Sequence, residues 1–158
     1  TFISGPNAAR AFGSFGYIQN EDGTIAPDPA WVKKNIVKSK VPILGDVVCH
    51  RYLIPQLKAA LSEIEGEGAA ASIDVADYHY QGGCFVPRLI RGQDPGRSVS
   101  MHAWGLAIDI NVKQNPAGSP SKMDPRVVAA FERWGFRWGG RWSPPDAHHF
   151  ELAALVQK

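Results

Sequence analysis

The stretch SMHAWGLAIDINV occupies residues 100–112 and carries the clearest structural and chemical signal of the chain. From Leu106 onward apolar and polar residues alternate, which is typical of a β-strand. A lone carboxylate in such an apolar strand is costly unless it is paired or bound to a metal, and this makes Asp109 a candidate functional residue. His102 precedes it by seven residues, and Gly105 allows a tight turn that returns the imidazole over the strand.

A second polar segment, DAHHFE, occupies residues 146–151. Strand alternation places His149 and Glu151 on one face and His148 on the other. Glu151 is therefore placed to orient the ring of His149 through a hydrogen bond. The spacing leaves both histidines open as candidate ligands.

Together the two segments provide imidazoles and carboxylates, a ligand set that zinc hydrolases use. Catalytic zinc sites take three protein ligands and leave one position to water, whereas closed structural sites usually recruit several cysteines. The chain has two cysteines, Cys49 and Cys84, and neither lies in a CxxC arrangement. The two cysteines form either one disulfide or two buried free thiols. For the histidines, the alternative to a zinc site is a metal-free domain in which they have no role as ligands.

The composition of the chain bounds its class. The chain has 158 residues, of which 44% are hydrophobic. This length and composition fit a single domain over residues 1–158 with one core. A net charge of +2 without a Lys/Arg-rich block argues against a nucleic-acid partner. No apolar run approaches the roughly 20 residues that span a bilayer. We expect the protein to be a monomer.

The periodicity predicts two clear helices, over 51–65 and over 124–134, the second opening with an Asp-Pro cap and followed by Gly135. The first 48 residues read as irregular, apart from a hairpin about the turn at 20–23. Strands are predicted at 15–17, 24–25, 72–80, 84–86, 106–112 and 148–152. Because helices and strands do not alternate regularly, the expected fold is α+β, a small, mostly antiparallel sheet with packed helices.

Both polar segments, in this order and spacing, resemble the motifs of the M15 family of zinc D-Ala-D-Ala carboxypeptidases and L-Ala-D-Glu endopeptidases. The matching residues are S-x-H-x-x-G-x-A-x-D at 100–109 and D-x-x-H-F-E at 146–151. G-G-x-W at 139–142 and C-F-V-P-R at 84–88 also look like that family. The resemblance covers about residues 78–152 and implies a Hedgehog/D-Ala-D-Ala peptidase-like fold.

By this resemblance, His102, Asp109 and His149 bind Zn²⁺, and Asp146 is the catalytic acid and base. Arg88 is the implied counterpart of an arginine that contacts substrate or steadies the oxyanion. Ser100 is expected to line the cleft.

The implied function is zinc-dependent hydrolysis of peptide bonds in peptidoglycan stem peptides, with the choice between carboxypeptidase and endopeptidase left open. The rival is a non-catalytic zinc-containing module for wall binding or signalling, against which the extra carboxylate of Asp146 argues. We expect a protein that faces the cell envelope or the exterior, or a phage-encoded, endolysin-like lysis protein. No export signal is visible in the chain.

Overall fold

A computed structural model describes residues 17–19, 25–86 and 100–156 of the chain. These residues form four α-helices and seven short strands. In chain order they are β1 (Tyr17–Gln19), β2 (Ile25–Pro27), α1 (Pro29–Asn35), β3 (Ile36–Val41), β4 (Gly45–His50), α2 (Leu53–Gly66), α3 (Val75–Tyr80), β5 (Ala107–Asp109), α4 (Pro125–Arg133), β6 (Phe136–Trp138) and β7 (His149–Leu152). Single 3₁₀ turns occur at Ala70–Ser72, Met101–Trp104 and Gly139–Arg141.

The strands form three small antiparallel sheets. Strands β1 and β2 pair as a hairpin, β3 and β4 form a second, and β5, β7 and β6 form a three-stranded sheet with β7 in the centre. The α+β class and the antiparallel pairing are confirmed. Within the described residues, the strands divide among three separate antiparallel ladders.

Both predicted helices are present, and both contribute to the core. One face of α2 is fully buried, at Leu53, Leu57, Ala60, Leu61 and Ile64. Helix α4 begins where predicted, since the Asp124 side chain accepts a hydrogen bond from the backbone of Arg126 at 2.8 Å. Phe131 of α4 stacks on Phe150 of β7 at 4.4 Å between ring centroids, which joins the helix to the three-stranded sheet.

The predicted strand over 72–80 is wrong. This segment forms a 3₁₀ turn followed by α3, because Asp74 caps the helix by accepting a hydrogen bond from the backbone of Asp77 at 3.0 Å. The local cap outweighs the β-branched and aromatic composition. Residues 84–86 are not a strand either, since the Phe85 and Val86 N–H groups bond to two different segments, at Val48 and His102.

The segment before residue 50 is more regular than predicted. Asp28 caps α1 by accepting from the backbone of Ala30, and Pro29 occupies the first helical position. The hairpin of β3 and β4 follows directly. The first hairpin exists, with its strands one to two residues later than predicted, while its turn at 20–24 lies outside the described residues.

Strand β5 is shorter than the predicted strand over 106–112. It ends at Asp109, and Asn111 adopts a left-handed conformation with φ of 52°. The Asn111 side chain is tied to the backbone of Asp74 and Ser72 at 2.8 Å each. The chain therefore turns out of the sheet directly after the carboxylate.

A disulfide joins Cys49 at the end of β4 to Cys84. This answers the question that the sequence left open. The bond anchors the segment at 83–86 to the second hairpin, in addition to the hydrogen bond from Phe85 to Val48. No helix within the described residues is long and apolar enough to cross a membrane.

We expect the double variant Cys49→Ala/Cys84→Ala to unfold more easily than the wild type by about 3–4 kcal/mol, because the unfolded chain loses a cross-link over 35 residues. Urea unfolding under oxidising conditions measures the difference. The wild type in reductant is the control and should lose a similar amount. A loss below about 1 kcal/mol would contradict the prediction.

Candidate metal centre

Sheet register and one tight turn bring the candidate side chains together. Asp109 on β5 lies directly opposite His149 on β7. His102 lies on the 3₁₀ turn that precedes β5, where the Ser100 hydroxyl accepts a hydrogen bond from the His102 backbone at 3.2 Å. Gly105 then reverses the chain with φ of 68°, in a place where a Cβ would approach the backbone nitrogen of His50 to 2.6 Å.

The two imidazoles converge on one carboxylate oxygen. His102 Nε2 and His149 Nδ1 each lie 3.1 Å from Oδ1 of Asp109. One donor atom from each of these three residues lies within 4.8 Å of the others, and within the described part of the chain this is the group that could hold a metal ion. His102 is fully buried and His149 nearly so.

The outer nitrogen of each ring is already engaged. His102 Nδ1 lies 3.0 Å from the Cys84 carbonyl oxygen and donates to it. His149 Nε2 lies 2.9 Å from Oε1 of Glu151 and donates to this carboxylate. Hydrogen bonds of this kind fix the tautomer of a metal-binding histidine.

The inner atoms are therefore electron-pair donors that face one another. In the neutral rings, the lone pairs of His102 Nε2 and His149 Nδ1 both point toward the Asp109 carboxylate. His102 Nε2 is buried without a hydrogen-bond partner of good geometry. Such a group repels itself unless a proton or a cation lies between the donors. The residues thus fit a metal ion, and two imidazoles with one carboxylate form a three-ligand set that leaves a position open.

Electrostatics in this cluster favour charge separation. Burial alone raises the pKa of Asp109, but its contacts with His102 and His149 outweigh burial and hold that pKa well below its usual range. Burial lowers the pKa of His149, yet hydrogen bonds to Asp109 and Glu151 raise it to about 9. Burial and the negative charge of Asp109 raise the pKa of Tyr78 to about 12.

Asp146 lies beside this cluster, in the turn that leads into β7. Its backbone N–H donates to the Gly139 carbonyl at 2.8 Å, and its own carbonyl accepts from the backbone of His149 at 3.1 Å. A Cβ at Gly139 would overlap the Asp146 carbonyl oxygen, so the glycine permits this approach. The Asp146 side chain is 29% exposed and lies 3.1 Å from His148 Nε2.

A cleft of about 330 Å³ opens onto the cluster. Its walls include Asp109, His148, Gly83 and Pro116. A larger groove of about 590 Å³ runs along α4, and the side chains that line it include none of the candidate ligands. Of these two clefts, the smaller is the one whose lining includes a candidate ligand, Asp109.

Residues 93–152 match a model of the M15 peptidases whose description is D-alanyl-D-alanine carboxypeptidase. This segment is therefore similar to M15 peptidases. The match contains the three converging residues together with Asp146 and Glu151, and it supports a peptidase role for the chain. No curated protein and no solved structure matches the chain.

The structure places the other predicted site residues as follows. Glu151 contacts His149 as expected and also lies 3.9 Å from Arg137. Ser100 is buried and its hydroxyl engages the His102 backbone, so its predicted contact with substrate stays a prediction. Arg88 lies outside the described residues and before the matched segment.

Two features of the site escaped sequence reasoning. The Cys84 carbonyl that orients His102 is a backbone atom, which no side-chain pattern reveals. Strand alternation predicts His148 on the face opposite His149, although the spacing leaves it open as a ligand. It reaches the site because it belongs to the turn before β7, where strand alternation does not apply.

We expect His102→Ala and Asp109→Ala to reduce zinc affinity by more than the roughly 10- to 100-fold typical of losing an outer hydrogen-bond partner. Zinc bound after dialysis, measured by plasma mass spectrometry, tests this. His79→Ala is the matched control, since His79 contacts the Leu44 carbonyl and lies outside the cluster. Equal zinc contents in the three variants would contradict the assignment.

Zinc binding should release a proton. Because the pKa of His149 is raised to about 9 in the metal-free protein, the ring stays protonated at neutral pH and zinc must displace that proton. We expect about one proton released at pH 7, and an affinity that rises about tenfold per pH unit below pH 9. Calorimetry in buffers of different ionisation enthalpy measures the release. Glu151→Gln should release less, and an affinity independent of pH would refute the prediction.

Proposed function

We propose that the chain is a zinc metallopeptidase that hydrolyses peptide bonds in peptidoglycan stem peptides. The observation that carries the proposal is the convergence of His102, Asp109 and His149 beside a further carboxylate, Asp146, at an open cleft. The family description supports the substrate class. The reaction is that of a D-Ala-D-Ala carboxypeptidase or an L-Ala-D-Glu endopeptidase.

The three converging residues would hold the zinc ion. When bound, zinc supplies Lewis-acid polarisation of the peptide carbonyl and makes a water molecule acidic enough to attack near neutral pH. The Cys84 carbonyl and the Glu151 carboxylate hold the two rings in one tautomer, so the donors keep their direction.

Asp146 is the proposed general base and acid. Its side chain is partly exposed to water and lies 3.1 Å from His148, whose Nε2 is in turn 3.9 Å from Asp109 of the cluster. It would take a proton from the attacking water and deliver one to the leaving amine. A module that only binds zinc has no need of this carboxylate, so Asp146 favours an enzyme over the non-catalytic alternative.

Substrate contacts complete the proposal. A cleft of about 330 Å³ is at the lower end of the size range of small-molecule sites and suits a short, extended peptide better than a folded protein. Trp142 lies against the His149 ring at 5.3 Å and is partly exposed, which places an aromatic surface at the edge of the metal-binding group. Arg88 remains the proposed partner of the substrate or of the oxyanion.

We place this activity outside the cytoplasm, in wall remodelling or in phage lysis. The disulfide between Cys49 and Cys84 supports an oxidising compartment, because such bonds are rare where thiols are kept reduced. The proposed partner is the stem peptide, met by a monomer of this chain.

The variant Asp146→Ala should bind zinc normally and lose about 100-fold or more of its activity, the contribution expected of a general base. Digested muropeptides analysed by mass spectrometry give the activity and the bond. Loss of one terminal alanine identifies a carboxypeptidase, and cleavage beside the sugar-linked alanine identifies an endopeptidase. Asp46→Ala is the control, since this exposed carboxylate pairs with Lys38 on the second hairpin.

Full activity of Asp146→Ala would remove that residue from the mechanism. A zinc-loaded wild type that binds peptidoglycan without cleaving it would favour the non-catalytic module.

A further inference from the structure

His148 occupies a position that the proposed reaction leaves without a role. Its ring lies between two carboxylates, with Nε2 at 3.1 Å from Asp146 Oδ1 and 3.9 Å from Asp109 Oδ2. Its other nitrogen, Nδ1, lies 2.6 Å from the carbonyl oxygen of Asn115. The side chain is only 13% exposed.

The Asn115 carbonyl is a fixed acceptor. Asn115 is fully buried, and its backbone N–H and side-chain Nδ2 both donate to the Asn111 carbonyl at 3.1 Å. Its Oδ1 accepts from the backbone of Lys122 at 2.7 Å. Since a carbonyl can only accept, His148 Nδ1 must carry a proton and donate it. The hydrogen bond to the Asn115 carbonyl thus fixes the orientation of the His148 ring.

This orientation aims Nε2 at Asp146. Nε2 and Asp146 Oδ1 are in polar contact at 3.1 Å. Oδ1 is buried against the ring although the Asp146 side chain is 29% exposed. The ring therefore covers Oδ1 of the carboxyl.

We propose that His148 is a positioning residue that holds the Asp146 carboxyl toward the metal-binding group. The inference rests on the proposed function, because it assigns His148 to the step in which Asp146 takes and returns a proton. His148 acts through Asp146 and is no ligand: the converging group consists of His102, Asp109 and His149.

Two substitutions separate the contacts of the ring. Asn at position 148 places an amide nitrogen near the position of Nδ1, which keeps the hydrogen bond to Asn115 and loses the polar contact with Asp146. Gln reaches the position of Nε2 and keeps a polar group in contact with Asp146. We expect His148→Asn to lower kcat about 10- to 100-fold with KM and zinc content unchanged. His148→Gln should restore most of the loss.

A second pair covers the case in which the Asn variant fails to fold. His148→Met has the length of Gln without its hydrogen bonds, so the Gln variant should exceed the Met variant in kcat at equal thermal stability. Equal kcat in Gln and Met, or equal loss in Gln and Asn, overturns the proposal. Loss of zinc in His148→Asn also overturns it, since the residue would then act on the metal group.

Asp146→Ala distinguishes failure of this inference from failure of the proposed function. An inactive Asp146→Ala beside a fully active His148→Asn removes the positioning role alone. Full activity in both variants removes Asp146 from the reaction, and the inference with it.

Discussion

The pairing of Asp109 with His149 across β5 and β7 is the contact on which the rest of the site depends. The two residues are 40 positions apart in the chain and lie directly opposite each other in the sheet. Because side chains alternate between the two faces of a sheet, a shift of the β5–β7 register by one residue would move His149 to the opposite face. The candidate metal group would then lose one of its three residues. The central place of β7 resists such a slip, since β6 pairs with its other edge.

The same strand register also places Glu151, which accepts the hydrogen bond from the outer nitrogen of His149. Glu151 lies opposite Ala107, whose small side chain leaves space for the carboxylate beside His149. On the other side, the disulfide anchors Cys84, and the carbonyl of that same residue orients His102. A covalent bond to the second hairpin and a pairing in the three-stranded sheet thus fix the two imidazoles from opposite directions. The fold holds in place a set of donors that would otherwise repel one another.

The sequence predicted the elements whose signals are local. The Asp-Pro cap of α4 was found from Asp124, and the same signal at Asp28-Pro29 was read as irregular although it opens α1 in the same way. Alternation along β7 predicted the contact between His149 and Glu151. It failed for His148, which precedes the strand, and for the segment at 72–80, where the cap at Asp74 produces a helix. Backbone acceptors such as the Cys84 carbonyl leave no pattern in a sequence, because every residue has one.

Adjacent histidines in DAHHFE differ in what their two nitrogens face. For His149 the outer nitrogen donates to a carboxylate, and the inner one faces the oxygen that His102 also approaches. For His148 the outer nitrogen donates to a carbonyl, and the inner one faces Asp146 at 3.1 Å, with Asp109 Oδ2 farther away at 3.9 Å. The two oxygens of Asp109 therefore lie near different histidines: Oδ1 near His102 and His149, and Oδ2 near His148. Oδ1 belongs to the candidate metal group, and Oδ2 lies on the side of Asp146, so in the proposed reaction this one carboxylate would join the metal site to the general base.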